Sequence, residues 1–158
     1  MSFDSMKREI DEIATTSKTN HELMDRITKK LNERMLKYNW VGFYLISFED
    51  PNVLVLGPFV GAMTPHTRIP LNQGICGAAA SSGTTVVVDD VSKDSRYLAC
   101  SLETKSEIVA PVFVKGKVVG ELDIDSHFLA AFHGEDRALV EHCAQVVGKF
   151  MEKRTARA

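Results

Sequence analysis

The sequence predicts an α+β fold, in which an antiparallel sheet carries the N-terminal and C-terminal helices packed on one face. Three observations support this. Apolar residues recur at helical spacing before residue 38 and after residue 134. Aromatic and β-branched runs typical of strands lie between these segments. Several consecutive runs are joined by short turns, which suits neighbouring antiparallel strands.

The domain organisation expected from the 158 residues is a single domain spanning 1–158. Its N-terminal helical segment covers about 3–38, the sheet and its insertions cover about 39–128, and the C-terminal helix covers about 134–153. We find no repeats, linker or low-complexity tract that would divide the chain.

The N-terminal segment has the apolar spacing of helices. Met6, Ile10 and Ile13 form one stripe, and a second stripe begins at Leu23. Thr19 interrupts the pattern and is a suitable N-cap. The pattern fits either two helices or one kinked helix.

The central segment contains the predicted strands. Strands are expected at about 40–48, 53–59 and 84–89, followed by a hairpin of 107–114 and 117–124 about Lys115 and Gly116. An alanine-rich stretch at 74–82 predicts a short helix that ends at Gly83. Residues 90–101 form a polar loop that holds Cys100.

Composition restricts the function. The net charge is −2, which argues against binding nucleic acid or a membrane surface. No apolar run approaches the roughly 20 residues of a membrane span, and the first residues lack a signal-peptide pattern. We therefore expect a cytoplasmic protein whose three cysteines are thiols or catalytic groups, with no metal site.

Three acids lie in otherwise apolar strand sequence: Glu107, Asp123 and Asp125. Asp123 and Asp125 alternate with core residues, so both point to one face of their strand. One interpretation is a solvated face of a half-buried strand. In the other, Glu107 lies beside them, like charges raise at least one pKa, and the cluster binds an ammonium group.

The cysteines have different surroundings. Cys100 lies in the polar loop, where a thiol can be reactive or inert. Cys76 stands at the start of the short helix, where we expect the helix dipole to lower its pKa; close packing is the alternative. Cys143 lies on the apolar stripe of the last helix and is interpreted as a buried structural thiol.

Trp40 and Tyr44 are four residues apart on the first strand and therefore share a face. Core packing explains such aromatic residues in general. A wall for a sulfur-containing side chain is the alternative, because sulfur packs well against aromatic rings.

Six short motifs occur in order along the chain. They are NWVGFY at 39–44, LGPF at 56–59, GICG at 74–77, AC at 99–100, SEIV at 106–109 and LDIDS at 122–126. Together they resemble the GAF-domain free methionine-(R)-sulfoxide reductases. The resemblance extends from about residue 40 to the final helix.

The resemblance implies a GAF fold and reduction of free L-methionine-(R)-sulfoxide. It implies that Cys100 is the attacking thiol and becomes a sulfenic acid, and that Cys76 is one possible resolving thiol, which would close an intramolecular disulfide. Thioredoxin, or another thiol, would restore both cysteines, with no bound cofactor. The amphipathic helices at the two ends fit either a homodimer interface, as in many GAF proteins, or a cover for the sheet.

The resemblance also assigns the substrate site. Trp40 and Tyr44 would wall the pocket, and Glu107, Asp123 and Asp125 would hold the polar groups of the substrate. One of these three acids would protonate the sulfoxide oxygen, and Glu107 is the predicted catalytic acid.

The chain departs from the family pattern at one place. Many members carry a further cysteine shortly after the LGPF motif, whereas residues 61–68 contain none. This departure favours an alternative function, a non-catalytic GAF module that binds a small ligand as a sensor.

Overall fold

The computed structural model describes residues 2–98 and 102–157, with side chains through residue 154. Four α-helices and six strands form in the described segments. In chain order they are α1 (Phe3–Thr16), α2 (Asn20–Arg34), β1 (Trp40–Ile46), β2 (Val53–Val60), β3 (Arg68–Pro70), α3 (Gly74–Ser82), β4 (Val86–Val88), β5 (Ser106–Val114), β6 (Lys117–Ser126) and α4 (Gly134–Arg157).

The N-terminal segment forms two helices, each with its own cap. The Ser2 side chain accepts a hydrogen bond from the backbone N–H of Ser5 at the start of α1. The Thr19 side chain does the same for the N–H of Glu22 at the start of α2. Each cap pairs a backbone N–H that has no partner within its own helix. A single continuous helix would have no such free N–H near residue 20, so the Thr19 cap marks the start of a second helix.

The six strands form one antiparallel sheet with the order β3-β2-β1-β6-β5-β4. β5 and β6 form the predicted hairpin, and both Lys115 and Gly116 adopt positive φ in its turn. β3 was not predicted, since a three-residue strand is too short to show a period. β6 lies between β1 and β5, so the sheet's centre brings together the strands that carry the predicted site.

The terminal helices cover one face of the sheet, as predicted. Their apolar stripes pack into this first core, so the amphipathic character of α1 and α4 is used within the chain. The core includes Met6, Ile10, Leu23, Ile27, Leu31, Phe43, Ile108, Leu122, Ile124, Leu139, Val140, Cys143 and Val147.

The other face of the sheet is covered by α3. This smaller core contains Tyr44, Leu54, Ile75, Cys76 and Val109. Helix α3 ends at Gly83, whose φ of 67° is left-handed and suits glycine. The site lies beneath α3, on the face opposite the terminal helices.

None of the described helices combines the length and the hydropathy that crossing a bilayer requires.

Candidate functional site

The pairing of β5 with β6 brings the three predicted acids together. Glu107 stands opposite Asp125, and Val109 stands opposite Asp123. Opposite residues share a face, so Glu107, Asp123 and Asp125 all point towards α3. Their neighbours Ile108, Leu122 and Ile124 lie in the first core on the other side, as the alternation predicted.

Helix α3 adds a thiol to this group of acids. The Cys76 thiol donates a hydrogen bond to Asp123 Oδ2 at 3.4 Å. Single ligand atoms of Cys76, Glu107 and Asp123 all lie within 4.8 Å of one another. Cys76 is therefore in direct contact with the acids.

The acidic face is buried, so the interpretation as a solvated strand face is wrong. Glu107, Asp123 and Asp125 are only 4–5% exposed, and Glu121, which shares their face, is fully buried. Helix α3 packs over the sheet here and excludes the water that would solvate a bare strand face.

Several oxygens of these acids lack a hydrogen-bond partner among the described residues. They are both carboxylate oxygens of Glu121, Asp123 Oδ1 and Asp125 Oδ1. None of the ion pairs in the described segments involves these acids. The acidic groups thus lie together, and none of them forms an ion pair with a basic side chain of the described residues.

Burial and crowding hold these acids towards their neutral form. Burial, followed by the charges of Asp123 and Asp125, raises the pKa of Glu107 well above its ordinary value. Burial and the nearby Asp123 also raise the pKa of Asp125 and that of Glu121. Burial raises the pKa of Asp123, while hydrogen bonds from Glu107 and Cys76 oppose the rise. Such a cluster can hold and release protons.

The expectation that the helix dipole lowers the pKa of Cys76 is wrong. Burial raises that pKa, and the charges of Asp123, Glu121 and Glu107 raise it further. The cause is that three acids and a dry environment disfavour the thiolate more than one helix terminus favours it. At rest, Cys76 is therefore a neutral thiol that donates to Asp123.

The two aromatic residues predicted for the site lie side by side. The rings of Trp40 and Tyr44 stack with their centroids 6.3 Å apart, and Trp40 also stacks on Phe59 at 5.7 Å. The Tyr44 hydroxyl donates to the backbone oxygen of His66, and the Trp40 indole N–H donates to the oxygen of Ala62. Tyr44 lines the cavity described next, whereas Trp40 contacts Tyr44 without lining that cavity.

A cavity of about 20 Å³ lies between the acids and α3. The residues that line it include Tyr44, His66, Cys76, Leu98, Glu107 and Asp123. This space suffices for a single water molecule or ion, which needs at least about 10–15 Å³.

The predicted site residues did not include Glu121, His66 or Leu98. Glu121 had a usable signal, because it stands two residues before Asp123 and so shares its face. His66 and Leu98 approach the cavity from loops, whose paths have no sequence period.

The remaining cysteines occupy separate places. Cys100 lies outside the described residues, so the structure does not place the predicted attacking thiol. Cys143 is a fully buried thiol in the first core, away from the acids, in agreement with its interpretation as structural.

Comparison with known proteins identifies the family. The GAF domain family matches residues 19–150. A crystal structure of the free methionine-R-sulfoxide reductase from Neisseria meningitidis in complex with its substrate superposes with a TM-score of 0.90 at 35% identity. That alignment covers 98% of this chain and 91% of the Neisseria chain. The chain belongs to the GAF-domain free methionine-R-sulfoxide reductase family.

Two curated relatives carry the same enzyme name. The free methionine-R-sulfoxide reductase of Saccharomyces cerevisiae is 40% identical over 112 residues, or 70% of this chain. The Escherichia coli enzyme of that name is 41% identical over 106 residues, or 67% of this chain. The chain spans 62% of the length of each of these relatives. Membership of the family confirms the predicted GAF fold, whose sheet and terminal helices are described above.

Proposed function

We propose that this chain reduces free L-methionine-(R)-sulfoxide to methionine. The observation that carries the proposal is the buried group of four carboxyl groups, with unpartnered oxygens, in contact with a thiol. The substrate is a free amino acid, whose ammonium group would supply the missing cation.

The charge balance of the site supports this substrate class. Desolvating an ammonium group costs several kcal/mol, which one exposed acid would hardly offset. Glu107, Asp123 and Asp125 converge on one buried face and can offset that cost together. The amino group of a free amino acid would also give hydrogen bonds to the unpartnered oxygens of Asp123 and Asp125.

Relatives support the same reaction. The yeast and Escherichia coli proteins are named free methionine-R-sulfoxide reductases, and the Neisseria structure contains its substrate. A substrate complex of the Staphylococcus aureus enzyme also superposes, with a TM-score of 0.86 at 32% identity.

The proposed chemistry begins with the Cys100 thiolate. It attacks the sulfoxide sulfur while Glu107, held neutral by its surroundings, donates a proton to the oxygen. The protonated oxygen then passes as a hydroxyl group from the sulfoxide sulfur to the Cys100 sulfur while the transient sulfur–sulfur bond breaks. Methionine leaves with its sulfur reduced, and Cys100 becomes a sulfenic acid. The sulfoxide is thereby reduced by two electrons and the cysteine is oxidised by two.

Cys76 would then resolve the sulfenic acid. Its thiol loses a proton to the adjacent Asp123, attacks Cys100, and forms a disulfide with release of water. Thioredoxin or another dithiol would reduce this disulfide. We also propose a cytoplasmic location and a homodimer. The apolar stripes of α1 and α4 are buried within the chain, so a dimer would use other surfaces.

Substrate entry requires the site to enlarge. The cavity of about 20 Å³ is far smaller than the roughly 300–1,000 Å³ of usual small-molecule pockets. The side chains that line it, including Leu98 and His66, must therefore move when an amino acid enters.

The deciding experiment is a thioredoxin-coupled assay with free L-methionine-(R)-sulfoxide. We expect turnover of the R epimer and none of the S epimer. Cys100→Ser should abolish turnover, whereas Cys143→Ser, in the other core, should retain it. Cys76→Ser should release one methionine per chain and then stall with thioredoxin. Absence of turnover by the unaltered protein with any dithiol would refute the proposal.

Glu107→Gln tests the proton donor. Glutamine keeps the shape of the side chain but cannot transfer a proton, so we expect turnover to fall by about 10²-fold or more. Steady-state kinetics of this variant would be compared with Glu49→Gln, which alters an exposed acid in a turn. Equal rates for the two variants would assign the proton transfer to another acid.

The alternative function is a sensor module that binds a small ligand without turnover. The lack of a cysteine at 61–68 favours it. A sensor would bind methionine or its sulfoxide in calorimetry and consume no reductant, and binding would survive Cys100→Ser and Cys76→Ser together. The coupled assay therefore separates the two functions.

A further inference from the structure

We propose that Cys76, Glu107 and Asp123 form a binding site for one thiophilic divalent cation such as Zn²⁺ or Cd²⁺. This proposal concerns a different ligand from the amino acid and does not depend on reductase activity.

The three donors are already close to the spacing that such an ion needs. Zn²⁺ binds sulfur at about 2.3 Å and carboxylate oxygen at about 2.0–2.2 Å, so ligand atoms in a tetrahedral site are roughly 3.5 Å apart. The Cys76 thiol and Asp123 Oδ2 are 3.4 Å apart, and the donor atoms of all three residues lie within 4.8 Å of one another.

Unpartnered buried oxygens provide independent support. Asp123 Oδ1 and Asp125 Oδ1 have no hydrogen-bond partner in the described segments, and both side chains are 4% exposed. Glu121 is fully buried on the same face, and neither of its oxygens has a hydrogen-bond partner among the described residues. These groups lie around the donors and lack the positive charge that a divalent ion would supply.

The size and chemistry of the site select the ion. The adjoining cavity of about 20 Å³ holds an ion or one water molecule. A thiolate is a soft ligand that favours Zn²⁺ and Cd²⁺, whereas Mg²⁺ and Ca²⁺ prefer more oxygen ligands. On binding, the sulfur–hydrogen bond of Cys76 breaks, a sulfur–metal bond forms, and the proton leaves to solvent. A water molecule can complete four-coordination.

The test uses protein without a histidine tag, in a Cys100→Ser background, so that only Cys76 and Cys143 remain as thiols. Titration with Cd²⁺ alone should produce the ultraviolet thiolate-to-cadmium absorption band and saturate at one ion per chain. Mg²⁺ should not compete. Adding Cys76→Ser should remove the band, whereas adding Cys143→Ser should leave it unchanged.

Two further variants keep the test decisive if Cys76→Ser fails to fold. Asp123→Asn and Glu107→Gln retain the thiol and remove crowded acids, so each should fold and weaken Cd²⁺ binding by about tenfold or more. Absence of the band, its survival in Cys76→Ser, or unchanged affinity in both acid variants would each overturn the proposal. All of these measurements omit the sulfoxide, so their failure is distinguishable from failure of the proposed reductase function.

Discussion

Glu121 is the most deeply buried acid of the site, and it has no hydrogen-bond partner in the part of the chain that the structure describes. It stands between Tyr44 on β1 and Pro111 on β5, neither of which neutralises it. Leaving a buried carboxyl group unpaired costs about 1–3 kcal/mol, and more when it is charged. We therefore expect the residue to oppose folding at neutral pH.

Replacing Glu121 by glutamine should stabilise the protein more as pH rises. Burial raises the pKa of Glu121 above its ordinary 4.5, so the folded state binds this proton more tightly than the unfolded state. The resulting stabilisation is complete below the unfolded-state pKa and is lost as pH rises through the folded-state pKa. Glutamine does not ionise, so Glu121→Gln should gain about 1–3 kcal/mol over the natural protein at high pH.

The free energy of unfolding, measured with urea at several pH values between about 5 and 8, reports this gain. Glu49→Gln, at an exposed turn position, should show no such dependence and serves as the matched control. If the stability gained by Glu121→Gln is constant or shrinks as pH rises, the pKa of Glu121 is not raised in the folded protein.

At the scale of elements, the approach of α4 to β5 depends on Gly148. A Cβ atom at this position would collide with the backbone oxygen of Phe113. Because the obstacle is backbone, it cannot be relieved by a change of rotamer. Helix α4 and strand β5 would have to separate, which would disturb the first core that the terminal helices share with the sheet.

Gly148→Ala should therefore destabilise the fold by about 1–3 kcal/mol, measured by denaturant unfolding. Gly134→Ala is the control within the same helix, because an added Cβ there meets no atom within 4 Å. Since alanine favours helix over glycine, the control should be neutral or slightly stabilising. Similar destabilisation by both variants would show that the close approach of α4 to β5 is not the cause.

At the scale of the whole molecule, the two cores on opposite faces of the sheet differ in composition. The larger one is apolar and is closed by the terminal helices. The smaller one contains Cys76 and adjoins the buried acids, whose pKa values are raised by burial and by the charges of their neighbours. A cationic ligand should consequently stabilise the entire chain.

We expect L-methionine-(R)-sulfoxide to raise the Tm of the Cys100→Ser protein, because the proposed substrate would bind there without being reduced. At 100 times its Kd a ligand adds about 2.7 kcal/mol, or roughly 5–10 °C for a chain of this size. Asp125→Asn should reduce the shift because one acid facing the ammonium is lost. Differential scanning fluorimetry with the S epimer as control measures the effect, and equal shifts for both epimers would contradict a specific site.

The sequence allowed the strands of the site to be predicted better than its environment. Alternation placed Asp123 and Asp125 on one face, and the Lys115–Gly116 turn brought Glu107 alongside them. The burial of that face could not be read from either strand, because α3 covers it from elsewhere in the chain. The error about the pKa of Cys76 has the same origin, since three acids distant in sequence outweigh its local helix terminus.

The position of the chain's one tryptophan has a practical consequence. Trp40 stands opposite Asp125 in the pairing of β1 with β6, and its indole stacks on Tyr44 at the edge of the cavity. Intrinsic fluorescence therefore comes from a single indole next to the acids. Arrival of an ammonium group or a cadmium ion should alter its emission, so occupancy and its rate can be followed in unlabelled protein by stopped-flow mixing.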